Sequence, residues 1–251
     1  MKAALSATVL CMLVAACASS TPALPVGSAA PAASQPTGWR AVLVAGDDAE
    51  PAFDNAVDAM ARKLGALGVP RADVAILKAN GRGDEEATTS NIVSAFAGLS
   101  AGPSEGCFVF ATSHGGPGRG LFMKRARAFL TPGDLDHLLN GPCRARPTVV
   151  IASGCFSGSF AEGQSMPAAN RVILTAARDD RPSFGCNADR QFTVFDECVL
   201  DNLDGGSRWQ VVMAKARACV EANERALDVD VPSQPQVSIG ADVTGLLVFA
   251  R

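Results

Sequence analysis

Short, almost uninterrupted apolar runs alternate along this chain with longer runs whose apolar residues recur at helical spacing. The short runs are Ala41–Ala45 (AVLVA), Val74–Leu77, Cys107–Ala111 (CFVFA), Thr148–Ala152 (TVVIA) and Val172–Thr175. A strand that is apolar at every position is buried on both faces, which is the pattern of a parallel sheet covered by helices. The longer runs predict those helices. Phe53, Ala56, Val57, Met60, Leu64 and Leu67 define one, with Gly68 as its stop signal. Thr89–Leu99 is a second, with Thr89 or Ser90 as its cap. Thr131-Pro132-Gly133-Asp134 opens a short third that ends at Leu139, and Phe192–Leu203 and Trp209–Leu227 complete the set. Between them lie a Gly115–Gly120 loop, a Leu121–Leu130 hairpin and a last strand at Leu246–Phe249. This order predicts an α/β domain around a mostly parallel sheet.

The first residues follow other rules. Lys2 is followed by an apolar stretch from Ala3 to Ala16, too short to span a bilayer, and the small pair Ala15-Ala16 precedes Cys17. Leu13-Val14-Ala15-Ala16-Cys17 resembles a bacterial lipobox, which implies a signal peptide over residues 1–16 and lipidation of Cys17. The expected location is therefore an exported protein held on a bacterial membrane, at the periplasmic side or cell surface. Residues 17–38 are almost wholly Ala, Ser, Pro, Thr and Gly, a composition that makes a spacer rather than a core. The folded domain is expected over 39–251, and 48% hydrophobic content supports one sizeable core. With a net charge of -3 and no basic stripe, nothing points to nucleic acid. Export permits disulfides. If Cys17 carries lipid and one thiol stays free for chemistry, five cysteines remain and at least one more is unpaired; connectivity is not readable from sequence.

Two strand ends carry the chemistry. One apolar run leads into Ser113-His114-Gly115-Gly116, the next into Ser153-Gly154-Cys155-Phe156-Ser157-Gly158. Ligands bind beyond the carboxyl ends of parallel strands, so an imidazole and a thiol are delivered to one edge. An imidazole beside a thiol takes its proton and makes a nucleophile, and a helix starting after Cys155 would favour the anion. Backbone N–H groups of Gly115 and Cys155 are candidates for an oxyanion hole. The chain has one other histidine, His137, which falls within the Asp134–Leu139 helix and reads as a surface residue.

These motifs resemble the legumain (asparaginyl endopeptidase) type of caspase-like cysteine peptidases. The resemblance rests on Phe108–Gly115, on Val149–Phe160, and on Ser183-Phe184-Gly185-Cys186 with Phe192–Phe195, over roughly Trp39–Leu203. It implies a caspase-like three-layer sandwich and hydrolysis of peptide bonds in a peptide or protein substrate through an acyl-enzyme, with no metal or cofactor. Cys155 would be the nucleophile and His114 the general acid/base. Asp48 matches the position of the histidine-orienting residue, an Asn in legumains. Substrate contacts are implied at Ser183, in the specificity-loop segment. The family's pocket for the residue before the cut is of mixed charge, and this chain departs from it. The expected arginine falls at Asp54, the acid before the nucleophile at Ser153, and the later acid at Glu197 or its neighbour Asp196. Loss of the positive partner points to a preference for Arg or Lys before the cut.

Three other readings share these residues, one of them a structural disulfide protein in which Cys155 is paired. A lipoprotein of the same fold, catalytically inactive, would act as a binding or scaffold protein. A transamidase would pass the same acyl-enzyme to an amine instead of water. No phosphate-binding glycine loop with lysine and no paired zinc-ligand cysteines occur in the sequence.

Overall fold

The computed structural model describes residues 35–100, 102, 104–187 and 190–249. The leader, Cys17 and the tether as far as residue 34 lie outside the described residues. Contacts with the domain begin upstream of Trp39. Gln35 donates through its amide to Gly245 O and accepts from Leu247 N–H, and Thr37 N–H donates to Ser104 O.

The sheet begins with β1 (Gly38–Ala45), which enters helix α1 (Pro51–Ala66), then β2 (Val74–Lys78) and a short β3 (Glu85–Glu86). Helix α2 (Thr89–Ala97) leads to β4 (Glu105–Thr112). The α2 cap is Thr88, whose hydroxyl accepts from Asn91 N–H, one residue before the expected Thr89 or Ser90. Three short strands, β5 (Gly115–Gly116), β6 (Gly120–Met123) and β7 (Ala128–Leu130), form a separate antiparallel sheet that contains the expected hairpin. Helix α3 (Pro132–Asn140) follows, its start closed by reciprocal hydrogen bonds between Thr131 and Asp134. Next come β8 (Thr148–Ser153), a four-residue helix α4 (Ser159–Glu162), β9 (Arg171–Thr175), helices α5 (Val194–Asn202) and α6 (Trp209–Ala226), and β10 (Gln236–Ile239).

The seven-stranded sheet has the order β10-β9-β8-β4-β1-β2-β3, parallel except where β10 pairs antiparallel with β9. The side chains alternate between two cores because successive strand residues face opposite ways. Leu43, Phe108, Phe110, Ile151 and Leu174 meet Phe53, Met60 and Leu64 of α1, Val199 of α5 and Val212 of α6. Val42, Val44, Val109, Val150 and Ile173 meet Ile92 and Phe96 of α2, Leu135 and Leu139 of α3 and Phe160 of α4. The result is a three-layer sandwich with helices on both faces, as expected.

The last strand is not Leu246–Phe249. That segment forms one isolated bridge, Leu247 to Arg208, and its apolar side chains serve the core instead: the Phe249 ring lies 5.0 Å from Trp39 and 5.5 Å from Phe108. The strand is Gln236–Ile239, half-buried at every position. An edge strand that faces solvent on one side has no continuous apolar run to announce it.

Candidate active site

Strands β4 and β8 are neighbours, paired in register with Thr112 opposite Ser153. His114 and Cys155 each lie two residues beyond that pair. Neighbouring strands run about 4.8 Å apart, so the register alone delivers the imidazole and the thiol together. Ser113 N–H donates to Ser153 O at 3.0 Å, which carries the ladder one step past the strands. Beyond it the two loops stack main chain on main chain. A β-carbon on Gly115 would stand 1.8 Å from Cys155 O, and one on Gly154 would stand 2.6 Å from Ser113 O. Only glycine fits at either point. The two amides expected to bind an oxyanion thus belong to residues in direct contact.

Phe156, next to the thiol residue, has φ +59°, a left-handed conformation that costs a non-glycine residue of the order of 1–2 kcal/mol. Its N–H donates to Arg181 O at 2.8 Å, which helps to hold the turn. Because α4 has only four residues, this turn, rather than a long helix dipole, presents the sulfur. Cys155 Sγ accepts from Ser183 N–H at 3.2 Å and lies 3.5 Å from Ser183 O, so the strip from Ser183 onward docks on the thiol. The imidazole of His114 meets Phe53 edge-on, ring centres 5.1 Å apart and planes at 87°. His114, Cys155, Phe53, Ser153, Ser183, Phe184, Cys186 and Thr193 line one cleft, whose free volume of about 10 Å³ holds roughly one water.

The other expected site residues separate. Asp48 does not reach His114. Its carboxylate bonds Lys124 and lies 3.7 Å from Arg125, and the bond to Lys124 holds it below the usual carboxylate range. Among the described residues His114 has no side-chain hydrogen bond, and Phe53 is what fixes its ring. Asp54 lines a separate polar cleft of about 610 Å³ with Asp58, Lys78 and Asn80, and burial raises its pKa. Glu197 does not line the cleft; it is partly exposed on α5 and pairs with Arg190. Asp54 and Glu197 are therefore not a carboxylate pair in one pocket. Ser153 stays in the cleft, 1% exposed.

The carboxyl beneath the cleft is Asp196, fully buried on the first turn of α5. Its Oδ2 accepts from Thr112 Oγ1 at 2.8 Å, and its N–H is capped by Thr193 Oγ1 at 3.1 Å. Burial pushes it up to about 6, against the opposing hydroxyls of Ser153, Thr112 and Thr193. Helical phase explains why Asp196 and not Glu197 points inward: consecutive helix residues project about 100° apart. The four core-facing cysteines pair as Cys107–Cys143 and Cys198–Cys219, leaving Cys155 and Cys186 as free thiols of the described residues. Cys186 shares the cleft, and burial raises its thiol pKa. Among the described residues no group of three or more His, Cys, Asp or Glu side chains is arranged to hold a metal ion.

A seven-stranded, mostly parallel sheet covered by helices, with histidine and cysteine brought into one cleft from adjacent strand ends, defines the class of caspase-fold cysteine peptidases. The peptidase C13 family model matches residues 74–203, just over half of the 251 residues, and the chain belongs to that family, the legumain type. Among solved structures, caspase-1 of Spodoptera frugiperda superposes with a TM-score of 0.63 at 14% identity, covering 91% of this chain and 97% of that one. At that identity the likeness speaks for the fold alone. No curated protein matches by sequence.

Proposed function

We propose that this chain is a cysteine endopeptidase that cleaves peptide bonds through a thioester at Cys155, with His114 as general acid/base. The observation that supports the reading is the shared cleft: His114 and Cys155 follow adjacent, in-register strand ends and line one cleft. The thiol proton passes to the imidazole and the thiolate adds to the substrate carbonyl carbon. The oxyanion that forms is bound by the Gly115 and Cys155 N–H groups. The imidazolium then gives its proton to the leaving amine as the C–N bond breaks, and a thioester remains. A water molecule, deprotonated by the same imidazole, hydrolyses the thioester and frees the thiol.

Assays of Cys155→Ala and His114→Ala against a peptide library test this. Each is expected to lose hydrolysis by about 10⁴-fold or more, the usual result of removing a nucleophile or its base. Unchanged turnover in Cys155→Ala overturns the assignment. We further propose, from the leader pattern, that Cys17 is lipidated and anchors the mature protein to a membrane. Two disulfides fit such an oxidising compartment. Among the described residues no helix is long and apolar enough to cross a membrane. Metabolic labelling with a fatty acid is expected to mark the wild type and not Cys17→Ser.

A further inference from the structure

Cys155 and Cys186 are the two thiols of the described residues left outside the structural disulfides, and both line one cleft. The segment that carries Cys186 is fastened against the Cys155 turn. Phe156 N–H donates to Arg181 O at 2.8 Å, Ser183 N–H donates to Cys155 Sγ at 3.2 Å, and Val194 N–H donates to Phe184 O at 3.0 Å. The chain then bends at Gly185, whose φ of +83° lies in the left-handed region. A β-carbon there would stand 3.0 Å from Val194 N. Past this bend the Cys186 side chain faces the cleft again, partly exposed at the rim of the core. The two sulfurs sense each other: burial first, and then charge on Cys155, push the Cys186 thiol up. Bridges elsewhere, Cys107–Cys143 and Cys198–Cys219, belong to a chain that meets thiol oxidants.

We propose that Cys155 and Cys186 are the site of a reversible disulfide that closes the cleft, formed by exchange with a small-molecule disulfide and opened by thiol reductant. The effect on hydrolysis rests on the peptidase reading above; the bridge itself does not. Glutathione disulfide stands for the oxidant class. The Cys155 thiolate, its proton on His114, attacks one sulfur of the oxidant. That S–S bond breaks, and the first glutathione leaves as a thiolate that takes the proton back. The Cys186 sulfur then attacks Cys155 Sγ, and the second glutathione leaves with the Cys186 proton. Two protein thiols are oxidised and one disulfide is reduced to two thiols. Holding both sulfurs in one cleft makes the second exchange intramolecular, which favours the internal bridge over a lasting glutathione adduct.

The test incubates the purified protein with glutathione disulfide and blocks the remaining thiols with iodoacetamide. Monomer isolated by non-reducing electrophoresis is then digested with trypsin without reductant. Cys155 and Cys186 fall on separate tryptic peptides, residues 145–171 and 179–190, so a bridge joins two masses. The wild type is expected to give the joined pair and to lose hydrolysis in proportion to the fraction joined. Hydrolysis should return when dithiothreitol opens this bridge under conditions that leave Cys107–Cys143 and Cys198–Cys219 closed. Cys186→Ser should stop at the first exchange, with glutathione on Cys155 and no joined pair, and Cys155→Ser should give no joined pair either. A wild type that retains glutathione on Cys155, or in which iodoacetamide reaches both thiols, without the joined pair, overturns the proposal whatever the variants do. A joined pair with undiminished hydrolysis, or a reduced wild type that cuts no peptide, brings down the peptidase reading instead, and peptide mapping still decides the bridge.

Discussion

Gly115 carries the tightest steric demand at the site, because its missing β-carbon is what lets the His114 loop rest on the Cys155 peptide. Gly115→Ala would put a methyl 1.8 Å from Cys155 O, so main chain must move on one side or the other. Overpacking of this kind costs about 1–3 kcal/mol, and any relief parts the imidazole from the thiol. The expected outcome is a drop in Tm together with at least a hundredfold loss of peptide hydrolysis, well beyond what the lost stability explains at a temperature where the variant is still folded. Hydrolysis and thermal unfolding measured side by side check it. Cys186 makes a second residue-scale case. Burial raises its thiol pKa within the same cleft, so less of it is thiolate near neutral pH and it alkylates slowly. Peptide mapping after timed iodoacetamide treatment should find Cys155 modified ahead of Cys186, and comparable rates would contradict this. His114, Cys155 and Gly115 were legible in the sequence because each ends or follows an apolar strand. Asp196 was named only as a neighbour of Glu197, since choosing between them needs the phase of α5, and a one-residue error in the helix start rotates the assignment.

Helix α5 reaches beneath the cleft with its first turn, and its acid gives the element a pH signature. Native Asp196 keeps its proton up to about pH 6, whereas a carboxyl in the unfolded chain releases it near pH 3.8. The native state is therefore the better proton binder. Its stabilisation by this group is complete below about pH 4 and is lost as pH rises through 6. A separation of that size amounts to about 3 kcal/mol. Asp196→Asn removes the ionisation while keeping an acceptor for Thr112, so the stability of variant minus wild type should grow by up to about 3 kcal/mol between pH 4 and pH 7. Chemical unfolding at several pH values measures this, and a difference independent of pH contradicts it. At this scale the five parallel core strands and the long helices were legible because burial on both faces leaves an unbroken apolar run. Edge strand β10 was not legible, being half-buried and preceded by Pro232 and Pro235, and Leu246–Phe249 passed for a strand because core-filling coil has the same composition as core-filling strand.

In the whole molecule, one disulfide ties a helical layer to the sheet that presents the site, and the other ties two helices of the opposite layer to each other. Cys107–Cys143 joins β4 to the turn after α3, and Cys198–Cys219 joins α5 to α6, with sequence separations of 36 and 21. The parity of the cysteines announced at least one thiol outside such pairs besides the nucleophile, yet partner choice depends on which strand and helix become neighbours, which spacing does not encode. Closing loops of this length stabilises a fold by about 3 kcal/mol each in the chain-entropy account. A fold held by disulfides responds to reductant in two opposite ways when its proposed nucleophile is also a thiol. Reductant here protects Cys155 from oxidation while it opens Cys198–Cys219, which clamps the helix bearing Thr193 and Asp196. Mild reductant should leave hydrolysis intact. Dithiothreitol strong enough to open both bridges, verified by alkylation and peptide mapping, should lower Tm by several degrees. It should also raise KM for peptide substrates, because opening Cys198–Cys219 frees the helix that carries Thr193 and Asp196 beneath the cleft. The double variant Cys198→Ser/Cys219→Ser should reproduce both effects without reductant, and a double variant with wild-type Tm and KM would show that the sheet and its packing hold the site unaided.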